Sequence, residues 1–372
     1  MMYEIVVIGA GVAGLSAAIE ASRMGASVLV VEKKKEIGSP LKCGGFIPKP
    51  HELPLLPNIK DVLKYPDEVV INTITTQRII APNGTSKEFK VDGDVVDRRA
   101  FDQHLASVAI SQGTEIWLSS TFLSLTKKGV VVRRGGEREE VEADVVVGAD
   151  GAYSKVGREA GLLKDYNEND VSSCKLEVVE GGEIEEDVLE MYFSSQFSPG
   201  GYGWVIPHSE RKANIGVGVR PPSTNVGKKL RMFKNKSPAS ERIAKSQPIA
   251  TGGGNVPVGL PPKTCSGNVL LAGDSASHVL STSGSGIPLA MLSGKLAGMC
   301  GVEFVSEGKP LCRYDKMWRK EMMMAIERTY KIRKMCDRLM SSDVRLNLMI
   351  KVLTPTQMKA IMQGKFLLLD KV

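Results

Sequence analysis

Three groups of residues have types and spacings that could do chemistry. The first is Gly9-Ala10-Gly11-Val12-Ala13-Gly14, a G-x-G-x-x-G run, with Glu32 ending the next apolar stretch. Gly9 permits a tight turn, Gly11 lets backbone approach a pyrophosphate, and Gly14 lets a helix pack close to a sheet. The N–H groups and partial positive charge of the following helix favour phosphate. Glu32 can accept both ribose hydroxyls of an adenosine and repel a 2′-phosphate. The second group is Lys42-Cys43-Gly44-Gly45-Phe46. A cysteine flanked by glycines in a loop is poorly suited to filling a core, and the glycines allow unusual backbone beside a flat ring. The third is Tyr202-Gly203-Trp204-Val205-Ile206-Pro207, in which Tyr202 and Trp204 share one face of a strand, as core or as ligand platform. Asp150 and Asp274 each end an apolar run, where α/β sheets bind ligands.

The elements that must hold these residues follow from hydrophobic patterning. Residues 3–8 read as a buried strand, a helix runs from the glycine turn to Met24, and 27–31 form a second buried strand. Continuous apolar strands flanking a helix imply a parallel sheet covered on both faces. Residues 36–58 read as an ordered loop and 67–91 as antiparallel strands; a helix starts at Asp97-Arg98 and runs to about Gln112. Strands are expected over 115–126, 129–134 and 138–149, then over 174–179, 187–193, 202–206 and 213–219. A helix is expected over 225–235, a buried strand over 268–272, a glycine-rich loop over 281–286 and a helix from Ile287 to about Ser306. From Pro310 onward the chain reads as helical, with Tyr314, Trp318, Met322, Ala325, Ile332, Cys336 and Leu339 on one apolar face.

An NAD enzyme would complete its sheet with alternating strands and helices. This chain leaves that pattern after Glu32 and returns to it at Ala143–Gly151 and Asn268–Ala276. With the glycine turn, Asp97-Arg98-Arg99-Ala100-Phe101-Asp102, Gly148-Ala149-Asp150-Gly151 and Gly273-Asp274 in order, the sequence resembles the FAD-dependent oxidoreductases of the para-hydroxybenzoate hydroxylase fold. The cysteine loop and the Tyr202–Pro207 run narrow the resemblance to the geranylgeranyl reductase family, its archaeal digeranylgeranylglycerophospholipid members above all. Ile206 departs from the family's usual Phe and is similar to a motif of flavin-dependent halogenases.

The resemblance implies an α/β fold: a Rossmann-like FAD-binding domain (1–66, 92–170 and 262–308), an antiparallel-sheet substrate domain (67–91 and 171–261) and a helical C-terminal region (309–372). It implies that Gly9, Gly11, Ala13 and Gly14 approach the FAD pyrophosphate and Glu32 its ribose. Arg98 would meet the phosphates and ribityl chain, backbone near Phe122 the adenine, and Asp274 the ribityl hydroxyls. Asp150 belongs to the same cofactor set. Gly286 and Ile287 would offer N–H groups near the flavin, with Cys43, Gly44 and Phe46 at its border. The implied activity is saturation of isolated C=C bonds in geranylgeranyl chains by hydride plus a proton, with Cys43, Tyr202 and Trp204 as catalytic candidates. A monooxygenase or halogenase of the same fold is the alternative. The electron donor would be NAD(P)H or a ferredoxin-like protein, visiting transiently because no second glycine fingerprint is present.

Composition bounds the rest. The chain has 372 residues, 42% hydrophobic and 24% charged, which fits a globular protein with a sizeable core. Aromatics are only 5%, so a large apolar cavity must be lined by aliphatics and Met. The six cysteines form no CxxC pair and there are four histidines, so no metal site is expected and reduced thiols are the default. Glu4, Glu20 and Arg23 interrupt any leader, and no apolar run approaches a membrane span. The net charge of +7 falls between Lys309 and Lys351, in a Met-rich stretch. That stretch suggests peripheral contact with the inner face of the cell membrane, with Met322, Met335 and Leu339 as its apolar part. Interleaved aromatics are too few for a nucleic-acid surface.

Overall fold

The computed structural model describes residues 1–164, 167–221 and 224–365. In chain order the strands are β1 (Met2–Ile8), β2 (Val28–Val31), β3 (Phe46–Pro48), β4 (Val70–Ile80), β5 (Ser86–Val96), β6 (Glu115–Trp117), β7 (Thr121–Thr126) and β8 (Gly129–Arg134). They continue as β9 (Glu137–Gly148), β10 (Val171–Glu180), β11 (Val188–Tyr192), β12 (Gly203–Ser209), β13 (Lys212–Val219), β14 (Gln247–Pro257), β15 (Cys265–Ser266) and β16 (Val269–Leu271). The helices are α1 (Val12–Arg23), α2 (Arg98–Ser111), α3 (Lys155–Glu159), α4 (Val226–Lys236) and α5 (Ser240–Ile243). The remainder are α6 (Ile287–Glu307), α7 (Arg313–Trp318), α8 (Met324–Asp337), α9 (Asp343–Val352) and α10 (Pro355–Met362).

Two sheets organise the chain. The first runs β15-β16-β9-β1-β2-β6, with the β7–β8 hairpin joined through β8 to β9. Its centre is parallel: β1 pairs with β2 on one side and β9 on the other, and β9 pairs with β16. Ile5, Val7, Val145 and Val147 face a core shared with α1 and α6, whereas Val6, Ile8 and Val146 face a second core under the β7–β8 hairpin. That alternation explains why these strands read as unbroken apolar runs. α6 is long and apolar enough to cross a bilayer, contrary to the sequence reading, but 67% of its apolar stretch is buried inside the fold.

The second sheet runs β14-β10-β13-β12-β11-β4-β5-β3 and is antiparallel except where β11 meets β4. Residues 36–58, expected as loop, contribute its edge strand β3, and β5 extends to Val96. β14 was not expected at all: Gly252, Gly253 and Gly254 interrupt its pattern, yet it pairs along the whole of β10. The expected 115–126 strand divides into β6 and β7 at residues 118–120. On β12, Val205 turns to the face covered by α4, against Phe233 and Ile215, while Trp204 and Ile206 turn to the opposite face. Period-two alternation therefore gives this sheet two apolar faces, one packed under α4 and one turned the other way.

The C-terminal helices cover that second face. α7 and α8 join through a π-helical turn at Arg319–Met323. Tyr314, Trp318, Met322, Ala325 and Ile332 are buried, as the spacing required, whereas Leu339 is exposed. Met322 therefore cannot contribute to an outward apolar face; Met335 and Leu339 can. Cys265 and Cys312 form a disulfide with a Cα–Cα separation of 5.3 Å, tying β15 to the start of α7. The expectation of six reduced thiols fails at this pair. Its partners are 47 residues apart in sequence, so no local motif announces it.

Candidate active site

The glycine turn joins β1 to α1. Gly9 has φ +107°, and a side chain there would strike the Ala149 carbonyl; one at Gly14 would strike the Gly9 carbonyl. Both glycines are thus required by the protein's own packing. A side chain at Gly11 would meet no protein atom within 4 Å, so that position opens onto free space at the start of α1. Ala13 is buried against the turn at Gly273, whose own added Cβ would lie 2.7 Å from the Ala13 methyl. The fingerprint and the late Gly273-Asp274 turn therefore meet in space. Glu32, buried at the end of β2, accepts from Ala10 N at 2.8 Å and from Lys34 N at 3.0 Å. Ser120 N donates to the Glu32 carbonyl at 2.9 Å, which brings the β7 backbone near Phe122 to the same end. The Phe122 side chain itself is buried in the second core.

Arg98 begins α2 and pairs with Asp102 at 2.9 Å. Burial opposes its charge, but the neighbouring Asp102 and Cys43 outweigh it and raise the pKa above the ordinary value. Asp150 is placed differently from the reading above: its carboxylate accepts from the Ser154 hydroxyl, from Lys155 N at 2.6 Å and from Val156 N at 3.2 Å. It caps α3, so its carboxylate serves the fold and only its backbone borders the Gly9 turn.

Asp274 contrasts with it. Among the described residues its carboxylate accepts no hydrogen bond, although an added Cβ on Gly286 would lie 3.5 Å from its Oδ1. Burial raises its pKa, with Lys42 and Arg98 pulling the other way. A recessed acceptor without a partner, beside a helix start at Gly286-Ile287 and opposite an open Gly11, is what a polyhydroxylated, pyrophosphate-bearing cofactor would satisfy. The residues present fit FAD.

From this end a cavity of about 330 Å³ extends along the free face of the second sheet. Its near wall is Cys43, Gly44, Phe46 and the loop from Gly284 to Ile287. The Cys43 thiol is half-buried and accepts from Gly45 N at 3.4 Å. Tyr202 and Trp204 stand side by side as expected, ring centroids 6.0 Å apart at 64°. The Tyr202 hydroxyl donates to the Ser283 carbonyl, and burial first, then the nearby Cys174 and Cys43, raises its pKa. Trp204 Nε1 donates to Asn214 Oδ1 at 2.9 Å, and the ring lies across Gly216 of β13, where any side chain would clash. The two rings are therefore fixed as walls.

The structure also assembles residues that the sequence did not single out. Cys174 and Leu176 of β10 and Leu189 and Met191 of β11 line the cavity from the sheet. Met349, Ile350 and Met362 close it from the C-terminal helices. Alternation along β10 and β11 was available as a signal, but it marks a core equally well. Burial pushes the Cys174 thiol up to about 12.

A parallel sheet carrying this glycine turn, joined to an antiparallel sheet with an apolar ligand face, defines an FAD-dependent oxidoreductase. Residues 4–162 match the FAD dependent oxidoreductase family and residues 170–256 the geranylgeranyl reductase catalytic domain. Digeranylgeranylglycerophospholipid reductase 2 of Methanopyrus kandleri is 32% identical over 381 residues, covering 98% of this chain and 94% of that protein. The protein of the same name from Methanothermobacter thermautotrophicus is 33% identical, covering 97% and 94%. The chain belongs to the geranylgeranyl reductase family. Among solved structures, a geranylgeranyl bacteriochlorophyll reductase-like protein of Thermoplasma acidophilum superposes with a TM-score of 0.86 at 27% identity, covering 98% of this chain and 95% of that one. A flavin-dependent brominase superposes with a TM-score of 0.72 at 16% identity over 97% of this chain and 94% of that one, which shows a shared fold alone.

Proposed function

We propose that this protein saturates isolated C=C bonds of geranylgeranyl chains in archaeal-type membrane phospholipids, or in closely related prenyl substrates. The observation that carries the proposal is the apolar cavity, which begins at the cofactor-facing Cys43 loop and continues between the second sheet and α8–α10. Its walls are suited to a long hydrocarbon: burial contributes about 0.8 kcal/mol per CH₂ group, so the chain grips without polar contacts. The cofactor-binding unit is taken as residues 1–66, 92–170 and 262–308, the substrate unit as 67–91 and 171–261, and the cover as 309–372.

Reduced FAD in this site supplies hydride. The protein must supply a proton to the other alkene carbon and exclude water while it does so. Cys43 is the candidate donor, since its thiol stands at the near wall and Arg98 beside it offers a counter-charge for the thiolate left behind. Tyr202 is the weaker candidate because its proton is engaged by the Ser283 carbonyl. Tyr202 and Trp204 then orient the chain, and their locked rings keep its double bond against the cofactor face. Gly9, Gly11, Gly14, Glu32, Arg98, Asp274, Gly286 and Ile287 hold the cofactor. The donor of electrons is NAD(P)H or a ferredoxin-like protein that visits and leaves. The protein works at the cytoplasmic face of the membrane, where such lipids reside.

The test is anaerobic incubation of the dithionite-reduced protein with an unsaturated archaeal-type lipid, read by mass spectrometry. Stepwise gain of hydrogen pairs is expected. A lipid of unchanged mass beside a flavin that reduces normally would overturn the assignment, as would an oxygenated or halogenated lipid in a parallel incubation supplied with oxygen, NADPH and halide.

A further inference from the structure

Helix α9 is apolar on two opposite sides. Its inner side is accounted for: Leu346 and Ile350 are buried, and Met349 and Ile350 line the cavity. Its outer side is not. Val344, Leu348 and Val352 recur every fourth residue, which stacks them on one face, and they are 77%, 62% and 69% exposed. Met335 and Leu339, at the end of α8, are exposed beside the turn that leads into α9. A helix of a water-soluble surface presents polar residues on the side away from its core. This one does the reverse, and a contiguous exposed apolar patch marks an interaction site.

The charges around the stripe say what covers it. Between Lys331 and Lys365 the acids are Asp337 and Asp343. Both point inward to partners: Asp337 pairs with Arg220, and Asp343 accepts from Ser195 N at 2.7 Å and from Gln196 Nε2 at 3.1 Å. The cations do not follow them. Lys331, Lys334, Arg338, Arg345 and Lys351 are exposed. The surface is thus an apolar ridge within a rim of uncompensated positive charge. A second copy of the chain would bring the same positive rim against it, which is unfavourable; an anionic lipid surface supplies both the apolar phase and the opposite charge.

We propose that the Val344–Leu348–Val352 face of α9 is the membrane-docking surface of this protein, seated in the headgroup–acyl boundary of an anionic bilayer. The proposal rests on the prenyl-lipid reading given above and names its partner surface. It also explains the helix. α9 has apolar residues on both sides because it separates two apolar phases, the lipid outside and the substrate cavity inside. A prenyl chain crossing between them passes a single helix and need not enter water.

The test uses the full-length, FAD-loaded protein, substrate-free vesicles of pure phosphatidylglycerol or pure phosphatidylcholine, and co-sedimentation. Leu348→Asp should lower partition onto phosphatidylglycerol by about tenfold or more, because it replaces an inserted apolar side chain with a repelled charge. Since Leu348 is exposed and lies outside the cavity wall, flavin absorbance should be unchanged. The double variant Arg345→Gln, Lys351→Gln, which leaves the ridge intact, should lose about fivefold per charge on phosphatidylglycerol and little on phosphatidylcholine. Wild-type partition by Leu348→Asp on both vesicles would overturn the proposal. So would a wild-type dimer that Leu348→Asp makes monomeric without altering vesicle binding, since the ridge would then be an interface between copies. Partition is read without substrate and bears on docking alone; reduction of a detergent-dispersed prenyl lipid bears on the reductase reading alone.

Discussion

The two sheets meet their ligands by opposite means. At the first, the ligand-facing surface is largely backbone: an open position at Gly11, the start of α1, and the start of α6 at Gly286. At the second, it is side chain: Phe46, Leu176, Met191, Tyr202, Trp204 and residues from three C-terminal helices. Backbone recognition demands glycine at fixed spacing, because geometry decides it. Apolar recognition demands volume and little else, so many residues satisfy it. The first surface is specified locally in the chain, and the second is specified only by the completed fold.

The sharpest way to break this contrast lies within the glycine turn itself. Gly14→Val should abolish soluble, folded protein, because its side chain would overlap the Gly9 carbonyl and a close-packed core cannot absorb it; the cost exceeds about 3 kcal/mol. Gly11→Val, three residues earlier, should fold normally and purify colourless, since its side chain meets no protein atom and occupies only cofactor space. Circular dichroism and flavin absorbance separate the two outcomes. If Gly11→Val retains FAD, the open position is not where the pyrophosphate lies.

The same contrast governs what could be read from the sequence. The parallel sheet, its glycine turn, Glu32 and the late Gly273-Asp274 turn were legible because strand, turn and helix are contiguous there. β14 was not, since its three glycines carry no side-chain alternation and only pairing with β10 makes it a strand. Asp150 reads as part of the cofactor set from its place at a strand end; that its carboxylate also caps a helix was signalled only by Ser154, four residues on. The cavity joins residues from Cys43 to Gln363 and has no linear pattern to find. Tyr202 and Trp204 were placed correctly on one face, but that Ser283 and Asn214 engage their polar atoms depends on tertiary structure.

At the junction of the two surfaces, Cys43→Ser is expected to lower alkene reduction by about 10²-fold, the usual contribution of a positioned general acid. A hydroxyl is close in size to a thiol but a far weaker acid. FAD content and the rate of flavin reduction by the electron donor should stay as in the wild type, because that half-reaction needs no proton at the alkene. Stopped-flow separation of the half-reactions measures both. Alkene reduction at the wild-type rate would reduce Cys43 to a wall residue.

Within the side-chain-lined surface, Met349→Trp should narrow the cavity where α9 lines it. Turnover of long prenyl lipids should fall about tenfold, the scale of one mismatched apolar group, while short prenyl alcohols react as before. Equal loss for both lengths would mean that the chain does not extend to α9. FAD content, set at the other surface, should not change.

The smallest effect is expected at Asp274, where the backbone-type surface uses a side chain, as it does at Glu32 and Arg98. Burial raises its pKa in the FAD-free protein, so its ionised form is more favourable in the unfolded chain than in the folded one. The native state then binds the proton more tightly, and stability falls as pH rises from the unfolded value, about 3.9, through the folded one. Above that window the carboxylate is a constant liability to the apoprotein. Asp274→Asn removes the charge and keeps the shape, so the FAD-free variant should melt above the FAD-free wild type near neutral pH. The difference should vanish once the pH falls below the unfolded value. FAD should bind the variant about tenfold more weakly, since an amide is a poorer acceptor for ribityl hydroxyls than a carboxylate. Calorimetry of both apoproteins across pH, beside FAD titration, tests the trade. A variant that loses stability at neutral pH would show that Asp274 supports the fold, as Asp150 does, and is not held in readiness for the cofactor.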